Sequence, residues 1–213
     1  MTASEHARLV GVMMSSDLSL EKHVDTVCSK CFFWLRQLNR VRRSLDPESM
    51  KTVVHAFVTS RVDYGNIILV GAPKSITNKL QRVLNAAARI VTGTRKYDRG
   101  LSHLLHTELH WLDVPEWVLY KLVLMVHRCL QHKALQYLSN YCVPVSDVAS
   151  RQQLHSASRH QPLLIPRYCL RIFGRQAFAV AGPTLCDSLA GKLRTYSSDR
   201  FKLALKTFLF ATY

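Results

Sequence analysis

The chain has 213 residues, 48% hydrophobic and 20% charged, so it can bury a core and is not composed like a disordered tail. Lys and Arg number 29 against 14 Asp and Glu, a net charge of +15 with a pI near 9.9, which favours polyanion partners: nucleic acid first, an anionic membrane surface second. The first residues are polar and mixed, unlike a secretory leader, and the longest apolar stretch, Trp117 to Val126, carries Lys121 and is far shorter than the roughly 20 residues of a membrane span.

The expectation is therefore an intracellular protein, cytoplasmic or nuclear, neither secreted nor in a membrane. Its six cysteines, Cys28, Cys31, Cys129, Cys142, Cys169 and Cys186, should remain thiols there. The same charge imbalance would also arise in a piece separated from an acidic neighbour.

Residues 1–20 are irregular apart from Leu9–Met14, which reads as one strand. From Leu20 to Leu45 the apolar positions Val24, Val27, Cys28, Cys31, Trp34, Leu35, Leu38, Val41 and Leu45 advance in threes and fours, one continuous helical stripe. Asp46-Pro47 is a helix start: Asp can cap free N–H groups, and Pro lacks an N–H that would be unpaired there anyway. Met50, Val53, Val54, Phe57 and Val58 then predict a buried face. Gly71-Ala72-Pro73 breaks the chain, and a third helix is predicted over 75–92, with Ile76, Leu80, Val83, Leu84, Ala87, Ile90 and Val91 inward and Gly93 ending it. Three helices on short turns read as a bundle over 21–98.

A central helical region follows over 99–145. It has a short helix near Leu101–Leu109 and a longer one opened by Asp113-Val114-Pro115-Glu116, which has the pattern of a capping box. That helix, to about Gln131, is apolar almost all round and belongs in a core; a short helix near Ala134–Tyr141 follows. Residues 146–161 are rich in Ser, Gln, Arg and His and read as an exposed loop. In 162–213, Pro162–Ile165 and Cys169–Phe173 are expected to pair as a small hairpin. Helices are expected over Gln176–Ala181 and Phe201–Phe210, with Gly182-Pro183 as a turn between them. The predicted class is mostly α: a three-helix bundle followed by a helical C-terminal region with a small β-hairpin.

Two rows of cations stand out. Arg36, Arg40 and Arg43 recur at helical spacing, as do Lys79, Arg82 and Arg89, and Arg95-Lys96 follow the helix end. Cations spaced along a rigid face are what phosphate-backbone binding needs, with little sequence readout; an ordinary solvated surface has the same composition. Tyr64 and Tyr97 could stack on sugar or base, but packing is the expected role. Cys28-x-x-Cys31 is half a zinc motif without a second pair nearby and reads as core thiols. His103, His106 and His110 surround Glu108 but lack the His-Glu-x-x-His order of a zinc hydrolase. No Gly-rich phosphate loop or nucleophile elbow is visible.

The order of several segments resembles one known family. Lys22-His23-Val24-Asp25, Arg36-Gln37-Leu38-Asn39-Arg40-Val41-Arg42-Arg43 with Asp46-Pro47, and Val54-His55-Ala56-Phe57-Val58-Thr59-Ser60-Arg61-Val62-Asp63-Tyr64 come first. Then come Lys79-Leu80-Gln81-Arg82-Val83-Leu84-Asn85-Ala86-Ala87-Ala88-Arg89-Ile90-Val91-Thr92-Gly93-Thr94-Arg95-Lys96, Leu109-His110-Trp111-Leu112, Phe173-Gly174-Arg175-Gln176-Ala177-Phe178 and Ala181–Leu189. Together they resemble non-LTR (LINE-type, jockey-like) retrotransposon reverse transcriptases downstream of the catalytic palm. Asp113, Gly65 and Cys186 depart from the family's usual residues there.

The resemblance implies a thumb that holds a template–primer, an RNA–DNA hybrid or RNA (element RNA in the parent protein), through Arg36, Arg40, Arg43, Lys79, Arg82, Arg89, Arg95 and Lys96. It implies no catalysis by this chain. The family's paired metal-binding aspartates belong to the palm, where magnesium would sit, and none of the nine Asp here is next to another. The first residues, about 1–20, would correspond to the hairpin that follows the palm. No cofactor or metal is expected of the chain itself. Two other readings stay open: an inert remnant of a degenerate element, and a helical protein-interaction module.

Overall fold

A computed structural model describes residues 5–95, 97–147, 162–168, 171–189, 196–211 and 213. Among the described residues the chain is mostly α-helical with one small antiparallel hairpin, and it divides into two compact units, residues up to Val114 and residues from Pro115. No helix among the described residues is long and apolar enough to cross a membrane.

The first unit opens with β1 (His6–Leu9) and β2 (Val12–Ser15), paired antiparallel from His6↔Ser15 to Leu9↔Val12. The stretch expected to be one strand is therefore the turn and second strand of a hairpin. Val10 and Gly11 both take positive φ, 46° and 84°, the two-residue turn whose twist suits paired strands.

Helix α1 (Glu21–Val41) continues into a 3-10 turn at Arg42–Ser44. Val24, Cys31, Leu35 and Leu38 of its predicted stripe are buried. Helix α2 (Pro47–Val54) starts where predicted: the Asp46 carboxylate accepts from the Ser49 N–H at 3.0 Å, with Pro47 in the first turn. A π-helical stretch, His55–Thr59, joins α2 to α3 (Ser60–Asp63). Its wider turn rotates Phe57 away from the core, so this residue, expected to be buried, is 36% exposed and lies against Trp34 at 4.5 Å between ring centroids.

Helix α4 (Lys74–Thr92) buries Ile76, Leu80, Val83, Leu84, Ala87 and Val91 as predicted and packs chiefly on α1. Gly93 ends it in the left-handed region at φ +81°, its N–H donating to the Arg89 carbonyl. Helix α5 (Leu101–His103) runs into a π-helical turn at Leu104–Glu108 that packs on α4. Asp113 accepts from Gln81 Nε2 at 2.8 Å, and Gln81 Oε1 accepts from the Val114 N–H at 2.9 Å, so a side chain of α4 ties down the end of the unit.

The second unit is built on α6 (Val114–Leu130), where Val118, Leu122, Val123, Val126 and Cys129 are buried. Helix α7 (Gln136–Ser139), α8 (Arg171–Gln176), α9 (Phe178–Ser188) and α10 (Ser198–Phe210) follow.

Two expectations change here. Pro162–Ile165 bridges back to the segment before it, with the Val145 N–H donating to Pro162 O and the Leu164 N–H to Val143 O, both 2.8 Å. Its expected partner is otherwise engaged: Arg171–Phe173 are helical, and Cys169 and Leu170 lie outside the described residues, as does most of the 146–161 loop. Gly182-Pro183 is not a turn but lies inside α9. Gly182 is there for close approach: a Cβ would stand 2.8 Å from Val126 Cγ2 on α6, so packing overrides the local turn signal.

Candidate nucleic-acid interface

The packing of α1 on α4 decides which cations meet. Along one side of this contact runs a groove of about 480 Å³ lined by Arg36 and Arg42 from the α1 side and by Arg82 and Arg89 of α4. Phe32, Leu35, Ala86 and Ile90 form its floor, with Asn39, Gly93 and Thr94 beside them. No carboxylate lines it. Arg82 and Arg89 are seven residues apart, about 10 Å along a helix at 1.5 Å per residue. That is about three steps of a nucleic-acid strand at 3.4 Å each.

Arg42 was not among the sequence candidates, although the run Arg40-Val41-Arg42-Arg43 carried its signal. It differs from its neighbours in being anchored: its Nε donates to the Ile90 carbonyl at 2.6 Å, across to the last turn of α4. A cation there also faces the negative end of the helix dipole. A Cβ on Gly93 would collide with the Arg42 guanidinium, so the glycine both ends the helix and makes room for the arginine.

The other candidates lie elsewhere. Lys79 donates to Glu21 Oε1 at 2.9 Å and Asp25 Oδ1 at 2.7 Å, pinning α4 to the start of α1, and these two carboxylates hold its pKa above the usual lysine value. Arg40 is exposed and bonds Gln37 Oε1 at 3.3 Å, outside the groove lining. Arg43 is exposed in the 3-10 turn and Arg95 just beyond α4, while Lys96 is outside the described residues. Tyr64 is a strut: its hydroxyl donates to the Val10 carbonyl at 2.6 Å and its ring lies against Gly11, holding the hairpin turn. Tyr97 is 86% exposed.

The thiols and histidines are placed by packing. Cys31 is fully buried, its Sγ 3.8 Å from the Val58 carbonyl, and burial, with Cys28 beside it, pushes its thiol up to about 11. Cys129, Cys142 and Cys186 share one apolar cluster with Val126 and Leu163, where burial and the neighbouring thiols push Cys142 up to about 12. His106 Nδ1 meets the Trp111 carbonyl at 2.9 Å, and His103 Nδ1 meets Thr107 Oγ1 at 3.2 Å. No group of three His, Cys, Asp or Glu side chains among the described residues could hold a metal ion.

Compared with protein-family models, curated proteins and solved structures, the chain matches none.

Proposed function

We propose that the α1/α4 groove grips the sugar–phosphate backbone of nucleic acid, chiefly an RNA–DNA hybrid or structured RNA, as the thumb of a LINE-type reverse transcriptase would, without polymerising. One observation carries this reading: Arg36, Arg42, Arg82 and Arg89 converge on a single apolar-floored groove with no acid in its lining. Guanidinium groups suit phosphate because their planar donors meet its oxygens in pairs. Such contacts follow the backbone and carry little base information.

The inert-remnant reading is weakened by how the unusual positions fit. Asp113 is bonded to Gln81, Gly65 takes φ +67°, a conformation glycine adopts without strain, and Cys186 is 3% exposed within a packed cluster. The protein-interaction reading has one observation of its own, the partly exposed ring series Phe33, Trp34 and Phe57 on another part of α1 and the π-helical turn.

The test is fluorescence anisotropy of a short RNA–DNA hybrid, titrated with salt, on the native chain and on Arg36→Ala/Arg82→Ala/Arg89→Ala. Removing three phosphate contacts should weaken binding well beyond tenfold and flatten the log–log salt slope by about 2 to 3. Lys79→Ala, outside the groove, should change the slope little. Affinity indifferent to the triple substitution would discard the groove as the interface.

A further inference from the structure

A second basic concavity lies apart from that groove. The hairpin, the first half of α1 and α3 line an open cleft of about 490 Å³ whose lining shares no residue with the groove. Four basic side chains face it from three elements: Arg8 of β1, His23 and Lys30 of α1, and Arg61 of α3. Like charges repel, and three of these side chains, the cations Arg8, Lys30 and Arg61, are brought together without a carboxylate in the lining. Neither Arg8 nor Lys30 has an ion-pair partner among the described residues. Such a convergence is stable when an anion neutralises it.

The cleft is built rather than incidental. Tyr64 closes one side and locks the hairpin turn through its 2.6 Å bond to Val10 O. The Met13 N–H donates to His23 Nδ1 at 3.4 Å, which leaves the neutral ring's proton on Nε2, so His23 can donate without being charged. Arg61 is steadied by its Nε bond to the Phe57 carbonyl at 3.0 Å. The volume lies in the range of small-ligand sites, and Tyr64 and Met13 add an apolar wall.

We infer that this cleft is a binding site for a compact, multiply charged phosphate group, supplied by a free polyphosphate or by the phosphorylated end of a nucleic-acid strand. It is independent of the groove and stands or falls separately.

The experiment is isothermal titration of the full chain with sodium tripolyphosphate at low chloride. Native protein, Arg8→Gln/Lys30→Gln and the groove variant Arg36→Gln/Arg82→Gln are compared, with circular dichroism as a check of folding. The cleft variant should bind at least about tenfold more weakly, the size of one lost charge-assisted contact, while the groove variant binds like the native chain. Lys30→Arg, which keeps the charge, should retain most of the affinity. Competition by an oligothymidine carrying a 5′ phosphate, but not by its 5′-hydroxyl twin, would identify the strand end as the source; no competition by either would identify a free anion. Absence of tripolyphosphate binding, or an equal loss in the cleft and groove variants, would overturn the assignment.

Discussion

Gly93 joins helix termination to the candidate interface, and Gly93→Ala probes both. At φ +81° an alanine pays about 1 to 2 kcal/mol for the left-handed conformation. Its Cβ must also displace the Arg42 guanidinium, which breaks the bond from Nε to Ile90 O. At a partly buried position that charged hydrogen bond is worth about 1 kcal/mol, below the usual range for buried ones. The expected total is about 2 to 3 kcal/mol. In an Arg42→Ala background the collision is gone and only the conformational cost remains, so a double-mutant cycle should show about 1 kcal/mol of coupling. Gly100 supplies the control: its φ is +87°, but a Cβ would meet nothing within 4 Å, so Gly100→Ala should cost the conformational term alone. Urea denaturation followed by circular dichroism reads all four variants. Equal costs for Gly93→Ala with and without Arg42 would refute the account of this contact.

Three further outcomes follow from other sites. His127 is 4% exposed, stacked on Phe201 at 3.8 Å, and burial holds its pKa below 6.5 despite the Tyr196 carbonyl beside it. Because the folded pKa is lower than the unfolded one, its contribution to stability is full above pH 6.5 and is lost as pH falls towards and through the folded value. An NMR titration of its ring protons should give a midpoint below 6.5, and a midpoint at or above that value would contradict the packing. Gly182→Ala should destabilise by about 1 to 3 kcal/mol through overpacking, offset by up to about 1 kcal/mol of helix propensity, and Val126→Ala in the same chain should relieve it. Cys31, Cys129, Cys142 and Cys186, all buried, should react with an alkylating reagent far more slowly than the half-buried Cys28, and all should react alike in urea.

The helices of the first unit were legible because their signals are local. The stripe of α1, the Asp46-Pro47 start and the Gly93 stop each depend on residues within a few turns, where backbone geometry and capping chemistry leave little freedom. The same locality misled at Gly182-Pro183, where a dipeptide that usually turns is held helical by the close approach of α6. It misled again at Leu9–Met14, where the turn hides inside an apolar run and is held by Tyr64, some fifty residues on. Phe57 left its predicted face inside a π-helical turn that no periodicity count sees, while Met50, Val54 and Val58 of the same face stay buried.

The site was half legible for a related reason. A basic face on each helix can be read from spacing, so Arg36, Arg82 and Arg89 were found. Which side of each face meets the other depends on how α1 and α4 are rotated when their apolar stripes interlock. That rotation takes Lys79 to Glu21 and Asp25, and brings Arg42 over the end of α4. Sequence alone determined that the chain is basic, mostly helical and capped where it is, since charge and local propensity are properties of neighbouring residues. Tertiary structure alone decided which cations share a groove, because charge complementarity between residues tens of positions apart exists only after packing sets their distance.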